Sequence, residues 1–278
     1  MAIKIVTDST ADLPQALADE LGITVIPLYI QFGHDTYRDR IDISEDEFYQ
    51  RLLNDPIHPT TSQPSPQDFA DVYNNLAKEA DGIISVHIST KLSGTYNSAL
   101  RAKEMVSVKC PIEVVDSETV SMGLGLIAAK AAAISNSGKD FQQAVEEVQK
   151  SIPRTHVWAL FDTLKYLAMG GRIGKAKALM GAMLNIKPIL VVKDGEMAPA
   201  TQARSRSKGI DILYDFASNF KDIGDLAVMY TTTLDEAELL VSRLSVILNR
   251  EQIKIARLGS ALGVHAGPGA LAIALMEY

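Results

Sequence analysis

Three observations predict an α/β protein of two domains. Short apolar, β-rich runs ending near residues 6, 32, 88 and 115 are mostly followed by helical patterns, the alternation that builds a parallel sheet. A length of 278 residues is long for one hydrophobic core. Beyond Pro153, hairpin and crossover signals are mixed, which predicts a mixed sheet flanked by helices. The boundary falls at Ser151 to Arg154. It separates an N-terminal, Rossmann-like parallel-sheet domain (1–152) from a C-terminal mixed-sheet α/β domain (153–278).

Ala2 to Val6 reads as the first strand, followed by TDST (7–10) and a helix with Asp12 as N-cap, Pro14 in its first turn and Gly22 closing it. Ile23 to Phe32 reads as one strand, and 33–40 as a turn or short hairpin. Ser44 with Glu47 fits a capping box opening a helix to about Asn54. Pro59, Pro64 and Pro66 then stiffen an extended loop carrying Thr60, Thr61, Ser62 and Gln63, and Ser65 and Pro66 start a helix to about Glu79. Those hydroxyls either face water in a connector or are arrayed for a ligand.

The stretch Gly82 to Leu100 is central. Ile83 to Ile88 predicts a buried strand that breaks into Ser89, Thr90, Ser93, Gly94 and Thr95 before a helical pattern through Lys103. A strand opening through hydroxyls into a helix presents free backbone N–H groups at the positive end of the helix dipole, a geometry that holds anions. The plainer alternative is that Ser93 caps its helix. Ile112 to Val115 is the next strand, and MGLGLIAAKAAAI (122–134) a buried small-residue helix, followed by an amphipathic helix over 140–150.

In the second domain the pattern predicts strands at 157–161, 189–192, 226–230 and 253–258. It predicts helices at 163–168, 175–184, 207–220 and 234–248, with GGRIG (170–174) as a tight turn. Asp194-Gly195 reads as a type I′ hairpin turn. HAGPGALAIAL (265–275) reads as a glycine loop, carrying His265, and a final strand. Ligands of parallel α/β sheets sit beyond the carboxyl ends of the strands, where TDST, the Ser93 turn and DSET (116–119) all fall.

Composition narrows the function. With 27 basic against 34 acidic residues the net charge is -7, which argues against nonspecific binding to nucleic acid or to an anionic membrane. The basic cluster ARSRSK (203–208) reads as a solvated helix cap. A single cysteine, Cys110, leaves no intrachain disulfide and fits a reducing compartment. With no signal-peptide pattern and no apolar run of about 18 residues, a cytoplasmic location is expected. Peripheral, transient membrane contact is the most this composition predicts.

Metal chemistry is not expected. The five histidines are scattered, and no HExxH, cysteine pair or EF-hand loop occurs. No P-loop or dinucleotide fingerprint is present, and LSGTY is no nucleophile elbow. A Ser93–His265–Asp116 set assembled through space is the enzymatic alternative, a hydrolase or phosphotransferase. Otherwise the candidates are hydroxyls on rigid loops, Arg172 in a glycine turn and His265, groups that hold a carboxylate or phosphate without catalysis.

Seven segments together resemble the DegV family of bacterial fatty-acid-binding proteins, which partner a fatty acid kinase. They are TDST (7–10), PTTSQPSP (59–66), SGTYNSA (93–99), DSETVSMGLG (116–125), YLAMGGRIG (166–174), NIKPIL (185–190) and HAGPGALAIA (265–274). They span essentially the whole chain in the family's order. The resemblance implies two α/β domains with a lipid pocket between them and a carrier that is not itself an enzyme. Its ligand is a long-chain fatty acid, with no other cofactor. Thr61, Ser62, Ser93 and Gly94 are implied to hold the carboxylate. Arg172 and His265 are implied to face the head group and the kinase, which makes acyl-phosphate with ATP. The apolar positions of 123–134 and 177–186 supply either tail-pocket lining or ordinary core.

Overall fold

The computed structural model describes residues 2–107, 109–180 and 186–278. In the N-terminal half the elements run β1 (Ile3–Asp8), α1 (Gln15–Leu21), β2 (Ile23–Ile26), β3 (Tyr29–Phe32), β4 (Asp35–Arg38), α2 (Glu45–Asn54), β5 (Thr60–Ser62), α3 (Pro66–Leu76), β6 (Gly82–His87), α4 (Thr95–Met105), β7 (Ile112–Asp116), α5 (Met122–Ser135) and α6 (Phe141–Ser151). In the C-terminal half they run β8 (Thr155–Leu160), α7 (Lys165–Met169), β9 (Lys187–Lys193), β10 (Glu196–Ala203), α8 (Arg206–Ser218), β11 (Ile223–Tyr230), α9 (Leu234–Leu244), β12 (Ile253–Arg257), α10 (Ser260–Ala266) and β13 (Leu271–Glu277).

The N-terminal sheet, in the order β2-β1-β6-β7, is wholly parallel. The C-terminal sheet has the order β10-β9-β8-β13-β11-β12 and is mixed, its one parallel pair being β11 with β12. Both are as the sequence predicts. A small antiparallel sheet, β4-β3-β5, is an addition. It arises because Ile23 to Phe32 is two strands, not one. Pro27 and Leu28 break the run, and the chain leaves the parallel sheet at Ile26 to start β3 elsewhere. Thr60 to Ser62, expected as loop, pair with β3.

Helix α5 shows why the two sheets form one body. Ten of its fourteen residues are buried, including Met122, Leu124, Leu126 and Ile127. The helix packs against β1 and β6 of one sheet and β8, β11 and β13 of the other. An apolar stripe on one side would not serve there; a helix apolar all round does. At roughly 1.5–3 kcal/mol per fully buried large apolar side chain, α5 is a main contributor to the shared core.

Other local expectations resolve as follows. Ser44 accepts the Glu47 N–H and caps α2, and Asp140 with Gln143 forms a full capping box on α6. Asp194 and Gly195 both have positive φ (51° and 77°), as a type I′ turn requires. Asp12 is not the N-cap of α1. It closes the 3-10 turn Ser9–Ala11 at φ 51°, and Pro14 precedes α1. Arg206 of ARSRSK is not solvated but paired with Glu236 at 2.6 Å. The helix expected over 175–184 is a 3-10 segment, Gly174–Leu179, with 181–184 outside the described residues. His265 lies in the last turn of α10, not in a loop.

Candidate functional site

A cavity of about 320 Å³ opens where the carboxyl ends of β1 and β6 face the C-terminal sheet. One wall comes from that sheet, through Val157, Ala159, Met229 and Ala272, with Ala270 just before β13. Leu258, Ala261, Leu262 and Ala266, at and around α10, supply another, and Ile88 and Leu92 follow β6. No described residue of 123–134 or 177–186 lines it, so the described part of those segments does not form the cavity wall.

Polar groups enter this apolar chamber in neighbouring hydrogen-bonded sets. Thr61 Oγ1 on β5 lies 3.0 Å from His265 Nε2. The other ring nitrogen of His265, Nδ1, lies against Gly170, where an added Cβ would come within 2.0 Å. The Gly170 carbonyl accepts Arg172 Nη1 at 2.6 Å, and Arg172 Nε donates to the Leu92 carbonyl at 3.1 Å. Leu92 adjoins Ser93, whose Oγ meets Thr95 Oγ1 at 2.8 Å and accepts the Thr95 N–H at 3.3 Å. Thr61, Ser62, Gln63, Ser93, Arg172 and His265 therefore meet in one cavity from four separate parts of the chain.

Gly94 is placed differently. It is the N-cap of α4 and is absent from the cavity wall. The side chain of Gln63 lies across it, its Nε2 donating to Ser98 Oγ at 3.2 Å, and an added Cβ would fall 2.3 Å from Gln63 Oε1. Gln63 was marked with Thr60, Thr61 and Ser62 on the rigid loop but was assigned no role at the site. Thr10 and Ser121 also reach the wall; they stand inside TDST and DSETVSMGLG, though neither was assigned a role.

Two buried titratable groups flank the cavity. Burial, with Arg172 and His58 nearby, pushes His265 down to about 4, so the ring is neutral at neutral pH. Burial pushes Asp12 up to about 6 against the pull of Arg40, with which it pairs at 3.0 Å. A neutral His265 whose Nε2–H donates to Thr61 leaves the threonine hydroxyl hydrogen free to point at a ligand.

The Ser93–His265–Asp116 set does not form. Asp116 accepts Thr90 Oγ1 at 2.6 Å, His265 meets Thr61, and Ser93 meets Thr95. Among the described residues no cluster of three or more His, Cys, Asp or Glu stands ready for a metal, and no helix is long and apolar enough to cross a membrane. A second buried network, Asp8–His87–Ser85–Tyr73, joins β1 and β6 of the parallel sheet to α3; its polar atoms all find partners, with His87 Nδ1 2.9 Å from Asp8 and Tyr73 OH 2.7 Å from Ser85.

The fold and site have close counterparts. Residues 2–278 match the family model described as "Uncharacterised protein, DegV family". A DegV domain-containing protein of Caldanaerobacter subterraneus subsp. tengcongensis is 37% identical over 281 residues, covering 99% of each chain. A Thermus thermophilus DegV family structure, described by its fatty acid binding, has a TM-score of 0.93 and 36% identity over 100% of both chains. A stearic-acid-binding protein of Eubacterium ventriosum has a TM-score of 0.89 and 30% identity over 99% of this chain and 98% of its own. This chain belongs to the DegV family.

Proposed function

We propose that this protein binds a long-chain fatty acid in the cavity and carries it without itself being an enzyme. The observation that carries this reading is a mostly apolar cavity wall with the polar groups Thr61, Ser93, Arg172 and His265 among its lining. Such a chamber suits a ligand with an acyl tail and a single anionic end. Each methylene buried contributes roughly 0.8 kcal/mol, so the tail supplies affinity and the polar patch supplies orientation. The fatty acid binding described for the Thermus thermophilus protein and the stearic acid named for the Eubacterium ventriosum protein support the same ligand class.

In this reading Thr61, Ser62 and Ser93 receive the carboxylate, and Gly94 keeps the α4 turn open beneath Gln63. Arg172 and His265 stand beside the head group. A partner fatty acid kinase then phosphorylates the presented carboxylate to acyl-phosphate. A phosphoryl group needs positive charge and donors at the point of transfer, and Arg172 offers a fixed cationic fork there. The division into domains at 152/153 is consistent with this, since each sheet draws its strands from one side of it and the cavity draws on both.

Titration calorimetry with C14–C18 fatty acids tests the carrier reading: saturable binding at one site per chain is expected, and no measurable affinity for any of them would overturn it. The kinase step is tested separately in a coupled assay with ATP. Arg172→Ala is expected to bind fatty acid nearly as the wild type does but to fail as a kinase substrate; full phosphorylation of Arg172→Ala removes it from that role.

A further inference from the structure

The start of α10 is gripped from the other half of the chain at four consecutive residues. Arg40 Nη2 donates to the Arg257 carbonyl at 2.8 Å, and Tyr49 OH to the Leu258 carbonyl at 3.0 Å. Asp12 Oδ1 accepts the Gly259 N–H at 2.8 Å, and Asp39 Oδ1 the Ser260 N–H at 3.0 Å. These bonds bridge 209 to 247 positions of sequence.

The gripping groups are themselves locked together. Asp12 and Asp39 are each 1% exposed. Arg40 pairs with Asp12 at 3.0 Å and with Glu45 at 3.3 Å. Ser121 Oγ donates to Asp12 Oδ2 at 2.7 Å. Asp12 and Arg40 both hold positive φ, 51° and 63°, conformations that are costly for residues other than glycine. Buried ion clusters are also poor stabilisers, because desolvating the charges offsets their attraction. A joint between two halves that served cohesion alone would be better made from apolar side chains. What this cluster provides instead is direction, with backbone groups of 257–260 held at fixed points.

The element so fixed is two turns long and carries His265 in its last turn. Sliding α10 by one residue moves it about 1.5 Å along its axis, enough to break the 3.0 Å contact between His265 and Thr61. Asp12, Asp39 and Arg40 do not line the cavity. We propose that Asp12, Asp39 and Arg40 are positioning residues for the head-group site, setting through 257–260 where α10 places His265 against Thr61. This rests on the fatty-acid reading given above.

The test is a double-mutant cycle on fatty-acid affinity, with a fluorescent long-chain fatty acid as probe, across wild type, Asp39→Ala, His265→Ala and the pair. Asp39→Ala is expected to weaken binding about 10-fold, the loss that follows from about 1.4 kcal/mol at the head group. In the His265→Ala background it is expected to add almost nothing. Asp39→Asn, which keeps an oxygen for the Ser260 N–H, is expected to recover most of the affinity. NMR titration of the His265 ring supplies a reading that a loss of stability alone would not move: in Asp39→Ala the ring pKa should rise from about 4 toward the ordinary 6.5. Arg40→Gln is carried through the same cycle, so that a poorly folding Asp39→Ala does not end the test. Wild-type affinity in both Asp39→Ala and Arg40→Gln, or effects that multiply with that of His265→Ala, would overturn the proposal. If the wild type binds no fatty acid, the functional reading fails instead, and the His265 titration alone then decides the positioning.

Discussion

Replacing Thr61 by valine isolates one hydroxyl at the centre of the site. Thr61 is half-buried on β5, opposite Ile30 of β3. Valine keeps the β-branch and the volume, so the strand pairing is retained. What disappears is the partner of His265 Nε2 at 3.0 Å, in a ring whose Nδ1 already has none. Leaving a buried polar group unpaired costs about 1–3 kcal/mol of fold stability. The carboxylate separately loses a charge-assisted bond that contributes about 1.5–3 kcal/mol. At about 1.4 kcal/mol per decade, fatty-acid affinity falls about 10- to 150-fold. Calorimetry at pH 7.5 measures the affinity, and a thermal melt of the free protein measures the stability cost on its own. Binding of Thr61→Val within about twofold of wild type, with the variant fully folded, would show that the carboxylate is held elsewhere and refute this reasoning.

Ser93→Ala should weaken binding at least about 10-fold and leave the ranking of tail lengths unchanged; a shifted ranking would place Ser93 along the tail. Gly195→Ala should lower the melting temperature, because a side chain at φ 77° is strained and its Cβ would fall 2.4 Å from Ser89 Oγ, which donates to the Gly195 carbonyl at 2.6 Å; an unchanged melt contradicts this. Asp12 and His265 should pull acid stability in opposite directions. Burial raises Asp12 from 3.8 to about 6, so its contribution to stability falls as pH rises through that window. Burial lowers His265 from 6.5 to about 4, so its contribution is lost as pH falls through that window. Thermal melts from pH 4 to 7 should therefore show a steeper acid loss in Asp12→Asn and a shallower one in His265→Gln; identical slopes in all three proteins would contradict both assignments.

The parallel sheet was legible because three of its strands, β1, β6 and β7, are short apolar runs closed by turn residues, with a helix following. Ile23 to Phe32 misled because its apolar pattern continues across Pro27, and pattern alone does not say that a proline there lets the chain change sheets. Helix α10 was hidden because Gly267 and Gly269 just beyond it made 265 onward read as a glycine loop. Gly263 is needed mid-helix because Phe48 and Tyr49 come within 2.5 and 2.8 Å of where a Cβ would stand. Asp12 resembles a helix cap because Pro14 follows it, but its partner Arg40 lies 28 positions away and nothing local announces it.

Much of the site could be marked from sequence, since hydroxyls at the carboxyl ends of parallel strands are a recognisable arrangement, as at Thr10 and Ser93. The contact between Thr61 and His265, 204 positions apart, could not. Gly94, which the resemblance implied as part of the carboxylate grip, stands beneath Gln63 at the start of α4, where its sequence neighbours Ser93 and Thr95 gave no sign of that packing. The sheet residues that form the apolar wall carry no motif, because Val157, Met229 and Ala272 are ordinary strand residues until the second sheet is folded against the first.

The central claim is that one molecule lies with its carboxylate on the Thr61–Ser93 patch and its tail along the C-terminal sheet. A crystal structure of the protein grown with a long-chain fatty acid brominated at its tail end tests that directly. The account predicts carboxylate density within hydrogen-bond distance of Thr61 and Ser93, and an anomalous bromine peak inside the cavity away from Arg172, against the wall that Val157, Met229 and Ala272 help to form. A carboxylate bound anywhere else, or a bromine peak outside the cavity, would contradict it.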